Sequence, residues 1–164
     1  MVFHTPREFP SYEKAALKFA RGKVLDVGCG AGCHSLYLRR RGLRVTASDS
    51  SPRIVELAQI RGVKDARVAD ACGKMPFRDG AFDAVVLFGN NLGICGTLPR
   101  CRRMLRELYR IPSPRGRILA TTRQPSTTNS QHRGYPSRNL ARGRALDRYV
   151  YDGCIAASAA RGLN

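Results

Sequence analysis

Residues 24–32 have the sequence VLDVGCGAG, in which a short apolar run ends at three alternate glycines. A brief apolar run that is bounded by glycine is typical of a buried β-strand. Glycine at this point allows a tight turn, and its bare backbone permits close approach of a ligand. A helical pattern follows over residues 32–41, and the first turn of such a helix directs unpaired N–H groups toward the loop. The stretch therefore predicts a strand, a ligand-binding loop and a helix.

The spacing of the glycines indicates which ligands the loop suits. A dinucleotide fingerprint, Gly-x-Gly-x-x-Gly, needs a glycine three residues after Gly30, where this chain has Cys33. The third glycine of the loop, Gly32, lies one residue before that position. This offset argues against NAD and FAD as ligands.

An acidic side chain follows the loop at the distance that ribose binding requires. Asp49 lies 21 residues after Gly28, at the tip of a second strand-like segment. A carboxylate there can accept hydrogen bonds from both hydroxyls of one ribose. The spacing therefore favours a ribose-containing ligand.

Strand-like and helix-like segments alternate from residue 23 to residue 122. After the first strand, the pattern predicts strands over 43–47, 66–69, 82–88 and 116–122. Helices are predicted over 11–20, 32–41, 52–60 and 97–110. In the last helix, Leu98, Cys101, Leu105 and Leu108 are expected to form the buried stripe. The alternation predicts an α/β fold with a doubly wound, mainly parallel Rossmann-like sheet in an α/β/α sandwich.

Basic side chains outnumber acidic ones by 29 to 12, and the excess is uneven. Residues 100–164 alone hold 14 basic and 3 acidic side chains. Such an excess can mark a surface that neutralises nucleic-acid phosphates, or it can be a solvated, arginine-rich surface. Because the arginines are scattered and no module with interleaved aromatic side chains accompanies them, we favour the second interpretation.

The six cysteines could belong to a metal site, to disulfides or to the core. They contain no Cys-x-x-Cys pair, and the three histidines lie far apart, so we predict no metal site. The N-terminus lacks a secretory signal, and no run of about 18 apolar residues could span a membrane. We therefore expect a cytoplasmic protein without membrane contact, whose cysteines are reduced and mostly buried.

Five landmarks, in chain order, resemble those of the class I S-adenosylmethionine-dependent methyltransferases. Residues 26–32 fit that family's Asp/Glu-x-Gly-x-Gly-x-Gly loop, and Asp49 fits its ribose-binding acid. The segment 68–71 (VADA) is similar to the one whose aspartate holds the adenine amino group. Residues 75–83 (MPFRDGAFD) resemble the stretch that leads into the fourth strand, and residues 88–93 (FGNNLG) occupy the loop beside the transferable methyl group.

The resemblance implies S-adenosylmethionine as the cofactor and S-adenosylhomocysteine as its product. It also implies a set of cofactor-binding residues: Asp26, Gly28, Cys29, Gly30, Gly32, Asp49, Ser50, Asp70, Ala71, Gly89 and Asn90. No catalytic residue is evident, because a base is needed only when the acceptor must first lose a proton. His34 is interpreted as a residue of the first helical turn.

The implied activity is methyl transfer to an acceptor that the sequence does not name. The chain lacks the Asn/Asp-Pro-Pro-Tyr/Phe sequence of enzymes that methylate exocyclic amines on nucleic acids or glutamine, which favours a small-molecule acceptor. RNA is the alternative acceptor, motivated by the basic residues of 100–164. Nucleic acid is therefore an alternative partner that we do not favour.

We predict a single methyltransferase domain over residues 1–164. It comprises an N-terminal helical segment (1–22), the cofactor-binding core (23–122), and a polar loop with an incomplete strand region (123–164). The family has seven strands, whereas one strand-like run at most, 149–157, follows residue 122, and it reads as a last strand or a frayed end. A truncated C-terminus would expose a sheet edge through which a homodimer could form. A catalytically incomplete cofactor-binding fragment is therefore a further alternative.

Overall fold

The computed structural model describes residues 5–89, 91–122 and 153–158. Its strands are β1 (Lys23–Val27), β2 (Arg44–Asp49), β3 (Ala66–Val68), β4 (Phe82–Leu87), β5 (Pro112–Thr122) and β6 (Gly153–Ser158). Its α-helices are α1 (Ser11–Leu17), α2 (Cys33–Arg40), α3 (Pro52–Ile60) and α4 (Leu98–Arg110), with short 3₁₀ helices at Pro6–Glu8 and Asn91–Gly93.

The strands form one sheet in the order β3-β2-β1-β4-β5-β6. The first five strands are parallel, and β6 is antiparallel to β5. The chain moves outward from β1 to β2 and β3, then returns to the other side of β1 for β4 and β5. The strand order therefore reverses between β1 and β4, where ligands bind beyond the carboxyl ends of the strands in open α/β sheets.

Alternate residues of the central strands pack into two separate hydrophobic cores, one on each face of the sheet. Leu25 points to the face that α4 covers, where Met104 and Leu108 are fully buried. Val24 points to the opposite face, where it packs with Leu17 of α1 and Leu38 of α2. A parallel sheet that is apolar on both faces requires helices on both, so the predicted α/β/α sandwich is confirmed.

The buried stripe of α4 differs from the predicted one. Leu98 and Leu105 are 61% and 49% exposed, although both were expected to be buried. Met104 and Leu108 are completely buried, and Cys101 packs partly against the same core. Around the helix axis, Met104, Leu108 and Cys101 are neighbours on the side that faces the sheet, whereas Leu105 and Leu98 lie beyond Cys101 at the exposed margin of that side.

The far edge of the sheet also differs from the expectation. Strand β5 begins at Pro112, four residues before the predicted start, and β6 pairs along it from Arg117↔Ser158 to Thr122↔Gly153. The late strand-like run therefore forms a strand that covers β5, and among the described residues β6 is the last strand on this side of the sheet. A homodimer through an exposed sheet edge stays a prediction.

Two of the cysteines are not reduced thiols. Cys72 and Cys95 form a disulfide, with their Cα atoms 5.5 Å apart. The expectation of reduced cysteines is therefore wrong for this pair, because the fold brings together two loops that are distant in sequence. Cys29 is buried, and Cys33 and Cys101 are partly buried; these three cysteines are not part of a disulfide.

Two further findings concern only the part of the chain that the structure describes. None of its helices has the length and apolar character needed to cross a membrane. Its histidine, cysteine and acidic side chains form no group of three or more that could hold a metal ion. The cytoplasmic location stays a prediction.

Candidate cofactor and acceptor site

The glycine loop between β1 and α2 folds back against the end of β2. The N–H groups of Gly28 and Cys29 both donate to the carbonyl of Ser48, at 2.8 and 2.9 Å. Gly28 has a φ of +69°, and a Cβ at this position would overlap the side-chain amide of Asn91. Glycine is therefore required at residue 28 both by the backbone conformation and by the space available.

Asp26 lies beneath this loop rather than in a cavity. Its side chain accepts hydrogen bonds from the hydroxyl of Ser35, at 2.6 Å, and from the Ser35 N–H. Burial raises the pKa of the Asp26 carboxyl, although the nearby His34 and the Ser35 hydrogen bonds oppose that rise. A carboxyl group thus occupies part of the N-terminus of α2, which was expected to direct free N–H groups at a ligand.

Asp49 joins the tip of β2 to the glycine loop. Its Oδ2 accepts the Gly30 N–H at 3.2 Å, and its Oδ1 accepts the Ser51 N–H at 3.0 Å. The residue is partly exposed. A carboxylate offers about four acceptor positions, so about two remain for a ligand.

Asp70 follows β3 and presents a second carboxylate. Its Oδ1 accepts the N–H of Cys72 at 2.8 Å, and its Oδ2 lies 3.9 Å from Nη2 of Arg100. The Asp70 side chain is 56% exposed. The disulfide between Cys72 and Cys95 ties the Asp70 segment to the loop after β4.

The loop after β4 contributes an amide that sequence analysis did not assign. Nδ2 of Asn91 donates to the carbonyls of Val27 and Gly28, at 3.1 and 2.9 Å. The neighbouring Asn90 was predicted to bind the cofactor, but it lies outside the described residues. The sequence contains two adjacent asparagines, Asn90 and Asn91, and nothing in it indicates which side chain contacts the glycine loop.

Two cavities flank the glycine loop, and Gly28 and Asn91 line both. The first cavity, about 290 Å³, is lined by Glu8, Phe9, Pro10, Glu13, Gly28, Cys29, Gly30, Ala31, Cys33, His34, Phe88, Gly89 and Asn91. The second cavity, about 30 Å³, is lined by Val27, Gly28, Asp49, Ser50, Ala69, Asp70, Ala71, Asn91 and Ile94.

Most of the predicted site residues meet at these cavities. Gly28, Cys29, Gly30, Asp49, Ser50, Asp70, Ala71 and Gly89 line one or both. Asp26 and Gly32 lie outside both linings, where they shape the loop and the start of α2. The cofactor-binding roles stay predictions.

The first cavity contains a paired histidine and glutamate. Nε2 of His34 lies 3.0 Å from Oε2 of Glu13, whose side chain is 6% exposed. The His34 ring contacts the rings of Phe9 and Phe88, with centroids 4.5 and 5.1 Å away. Sequence analysis missed this pair because 21 residues separate its members, and no spacing motif connects them.

Cys29 also lines the first cavity, but its thiol is poorly suited to nucleophilic chemistry. Burial raises the pKa of the Cys29 thiol, and the negative charges of Asp26 and Asp49 raise it further. The thiolate is the nucleophilic form of cysteine, so Cys29 stays protonated and unreactive at neutral pH.

The stretch 75–83 supports the site from outside the two linings. Met75 and Phe77 are buried in the core beneath α4. Arg110, at the end of α4, donates to the carboxylate of Asp79 at 2.6 Å and to the Phe77 carbonyl at 2.7 Å. This landmark therefore anchors the chain that leads into β4.

Comparison with known proteins agrees with this geometry. Residues 25–120 match the family model described as a methyltransferase domain. The chain belongs to the methyltransferase domain family. The matched range contains the glycine loop, Asp49, Asp70 and the loop after β4, so the resemblance to class I S-adenosylmethionine-dependent methyltransferases is confirmed.

Three relatives illustrate how much of the methyltransferase domain is shared. A ubiquinone biosynthesis O-methyltransferase of Xanthomonas oryzae pv. oryzae is 32% identical over 116 residues, covering 68% of this chain and 47% of the relative. A malonyl-[acyl-carrier protein] O-methyltransferase of Erwinia billingiae is 38% identical over 102 residues, covering 61% of this chain and 38% of the relative. A SAM-dependent methyltransferase from Bacteroides fragilis, whose crystal structure was solved in complex with S-adenosyl-L-homocysteine, is 39% identical in sequence. The two structures superpose with a TM-score of 0.62, covering 69% of this chain and 47% of the relative. The chain spans about half the length, or less, of these relatives.

Proposed function

We propose that the protein transfers a methyl group from S-adenosylmethionine to a small-molecule acceptor. The observation that carries this proposal is the arrangement of two carboxylates, Asp49 and Asp70, around the second cavity beside the glycine loop. Asp49 ends β2 and Asp70 follows the neighbouring parallel strand β3, so both lie at the carboxyl ends of the strands.

The chemistry of these residues suits an adenosine without phosphates. Ribose hydroxyls and the adenine amino group are donors, and the carboxylates of Asp49 and Asp70 are acceptors. Among the described residues that line the second cavity, none is lysine or arginine. The Asp26 carboxyl at the start of α2 would also repel a pyrophosphate. These features support a sulfonium nucleoside over a dinucleotide.

In the proposed complex, Asp49 binds the ribose hydroxyls, and Asp70 binds the adenine amino group. Gly28 lines both cavities, and Gly30 and Gly89 line the first, where the acceptor is placed. When bound, the cofactor supplies an electrophilic methyl group with a built-in leaving group. The protein's task is to hold the acceptor atom within about 3–3.5 Å of that methyl carbon and to exclude water.

Titration calorimetry with S-adenosylhomocysteine tests the cofactor assignment. We expect saturable binding and a raised melting temperature. A folded sample that shows neither heat nor a thermal shift at millimolar ligand contradicts the proposal. Binding without turnover of any member of an acceptor library would instead identify a cofactor-binding fragment.

RNA is a second candidate acceptor because the basic side of α4 begins beside the second cavity. Three arginines are exposed on α4: Arg102, Arg103 and Arg106. Near the N-terminal end of α4, Arg100 lies close to Asp70. If these four arginines contact single-stranded RNA phosphates, affinity should fall about 50-fold between roughly 50 and 200 mM salt. Equal affinity at both salt concentrations contradicts this candidate.

A further inference from the structure

The first cavity holds a polar pair within largely apolar surroundings. The Glu13 side chain is buried at 6% exposure, and His34 is 19% exposed. Phe9 and Phe88 are buried and contact two sides of the imidazole. Each ring contact restricts the orientation of His34, and a buried carboxylate requires a hydrogen-bonding partner.

Glu13 determines which imidazole nitrogen can accept a proton. An ionised carboxylate can only accept hydrogen bonds, so the 3.0 Å contact places the hydrogen of neutral His34 on Nε2. The lone pair then lies on Nδ1, for which no hydrogen-bond partner occurs among the described residues. A proton taken up at Nδ1 would create an imidazolium that the Glu13 carboxylate stabilises.

The charge of the first cavity restricts the acceptor. Although the whole chain has a net charge of +17, the described lining contains Glu8 and Glu13 and no lysine or arginine. An acceptor that arrives as a carboxylate or phosphate would be repelled there. The surroundings favour an uncharged acceptor that is ionised only within the cavity.

We propose that His34 accepts the proton of a neutral hydroxyl acceptor in the first cavity, and that Glu13 is its positioning residue. The inference rests on the proposed methyl transfer. The O–H bond breaks, its electron pair stays on oxygen, and the proton binds Nδ1 of His34. The oxygen then forms its bond to the methyl carbon while the carbon–sulfur bond breaks toward sulfur, and His34 releases the proton to water.

The test uses 4-nitrophenol, whose phenol and phenolate forms absorb at different wavelengths. The protein is first saturated with S-adenosylhomocysteine, at a pH where free 4-nitrophenol is protonated. We expect the bound probe to show the phenolate band. His34→Gln should bind the probe without that band, Glu13→Gln should show a weaker band, and Tyr37→Phe on the same helix should match the parent.

4-Nitrobenzoate is the matched anionic probe, and it should bind at least about tenfold more weakly than 4-nitrophenol. Equal binding of the two probes would overturn the charge selection. A bound phenol without the phenolate band, a band that persists in His34→Gln, or no probe binding to a protein that binds S-adenosylhomocysteine would overturn the inference alone. Failure to bind S-adenosylhomocysteine would instead remove the proposed function, and the inference with it.

Discussion

The two cavities on either side of the glycine loop are built in different ways. The second cavity is formed by residues that directly follow β1, β2 and β3, together with the loop after β4. The first cavity needs the N-terminal segment, from which Phe9 and Glu13 reach His34 at the start of α2. A cavity at consecutive strand ends can be assembled from local motifs, whereas a cavity beneath a separate helix depends on long-range packing.

This difference also separates the proposed roles. The second cavity presents two carboxylates held by backbone N–H groups: Asp49 accepts from Gly30 and Ser51, and Asp70 accepts from Cys72. The first cavity presents a hydrogen-bonded pair, His34 with Glu13. We therefore expect variants of the second cavity to change cofactor binding, and variants of the first cavity to change the binding and deprotonation of the acceptor.

The largest expected effect is on cofactor affinity in Asp49→Ala. Loss of two charge-assisted hydrogen bonds should weaken S-adenosylhomocysteine binding by about 2–4 kcal/mol, or roughly 30- to 1,000-fold. Calorimetric titration measures this loss. Unchanged affinity would show that the ribose site lies elsewhere.

The control for that measurement is Glu56→Ala, an exposed acid on α3. Asp65 is unsuitable as a control, because it accepts hydrogen bonds from Thr46 and Arg67, each at 2.7 Å. Burial raises the pKa of Asp65, yet these two hydrogen bonds outweigh burial and lower it overall. Replacing Asp65 would therefore disturb β2 itself.

The second prediction concerns the disulfide that joins two walls of the second cavity. Its cysteines lie 23 residues apart, so opening this loop should cost about 3 kcal/mol of unfolding free energy. We expect dithiothreitol, or the double variant Cys72→Ala and Cys95→Ala, to lower stability by that amount and to weaken S-adenosylhomocysteine binding. Chemical unfolding with and without reductant measures the first effect, and an unchanged transition would contradict it.

The third prediction compares two glycines of the loop between the cavities. Alanine at Gly28 or Gly30 should cost about 1–2 kcal/mol, because both have a positive φ. Gly28→Ala should cost about 1–3 kcal/mol more, because its Cβ displaces Asn91 from two backbone carbonyls, whereas Gly30 has open space. Equal unfolding free energies for the two variants would disprove the role of Asn91.

The smallest expected effect is that of Asp26→Asn. Because burial raises the pKa of folded Asp26, its contribution to stability is present below the ordinary pKa of aspartate and is lost as pH rises through the folded value. Asparagine cannot ionise and can still accept the Ser35 hydroxyl. We expect equal stability, or a gain of up to about 1 kcal/mol at neutral pH, that disappears near pH 4.

Chemical denaturation at the two pH values measures this difference, and a loss above about 2 kcal/mol at neutral pH would contradict the prediction. Cofactor binding provides a second readout. Asp26→Asn should weaken S-adenosylhomocysteine binding less than Asp49→Ala, because Asp26 lies outside both cavity linings.

Much of the second cavity could be predicted from sequence because its parts follow their strands directly. Gly28, Asp49 and Asp70 each come within three residues of a strand end, and parallel strands bring their carboxyl ends to one edge of the sheet. Local periodicity was a weaker guide in α4, where Leu98 and Leu105 are exposed. The helical pattern predicted Leu108 correctly, but only packing showed that Met104 is buried in place of Leu98 and Leu105.

The sequence by itself determined the α/β order of the elements, the glycine loop and the two acids at the ends of β2 and β3, because each depends on short stretches of backbone and spacing. Tertiary structure decided the pairing of His34 with Glu13, the disulfide between Cys72 and Cys95, and the strand that covers β5. Those contacts join segments from 21 to 41 residues apart. These contacts form only after the helices and strands have packed, so no local sequence pattern predicts them.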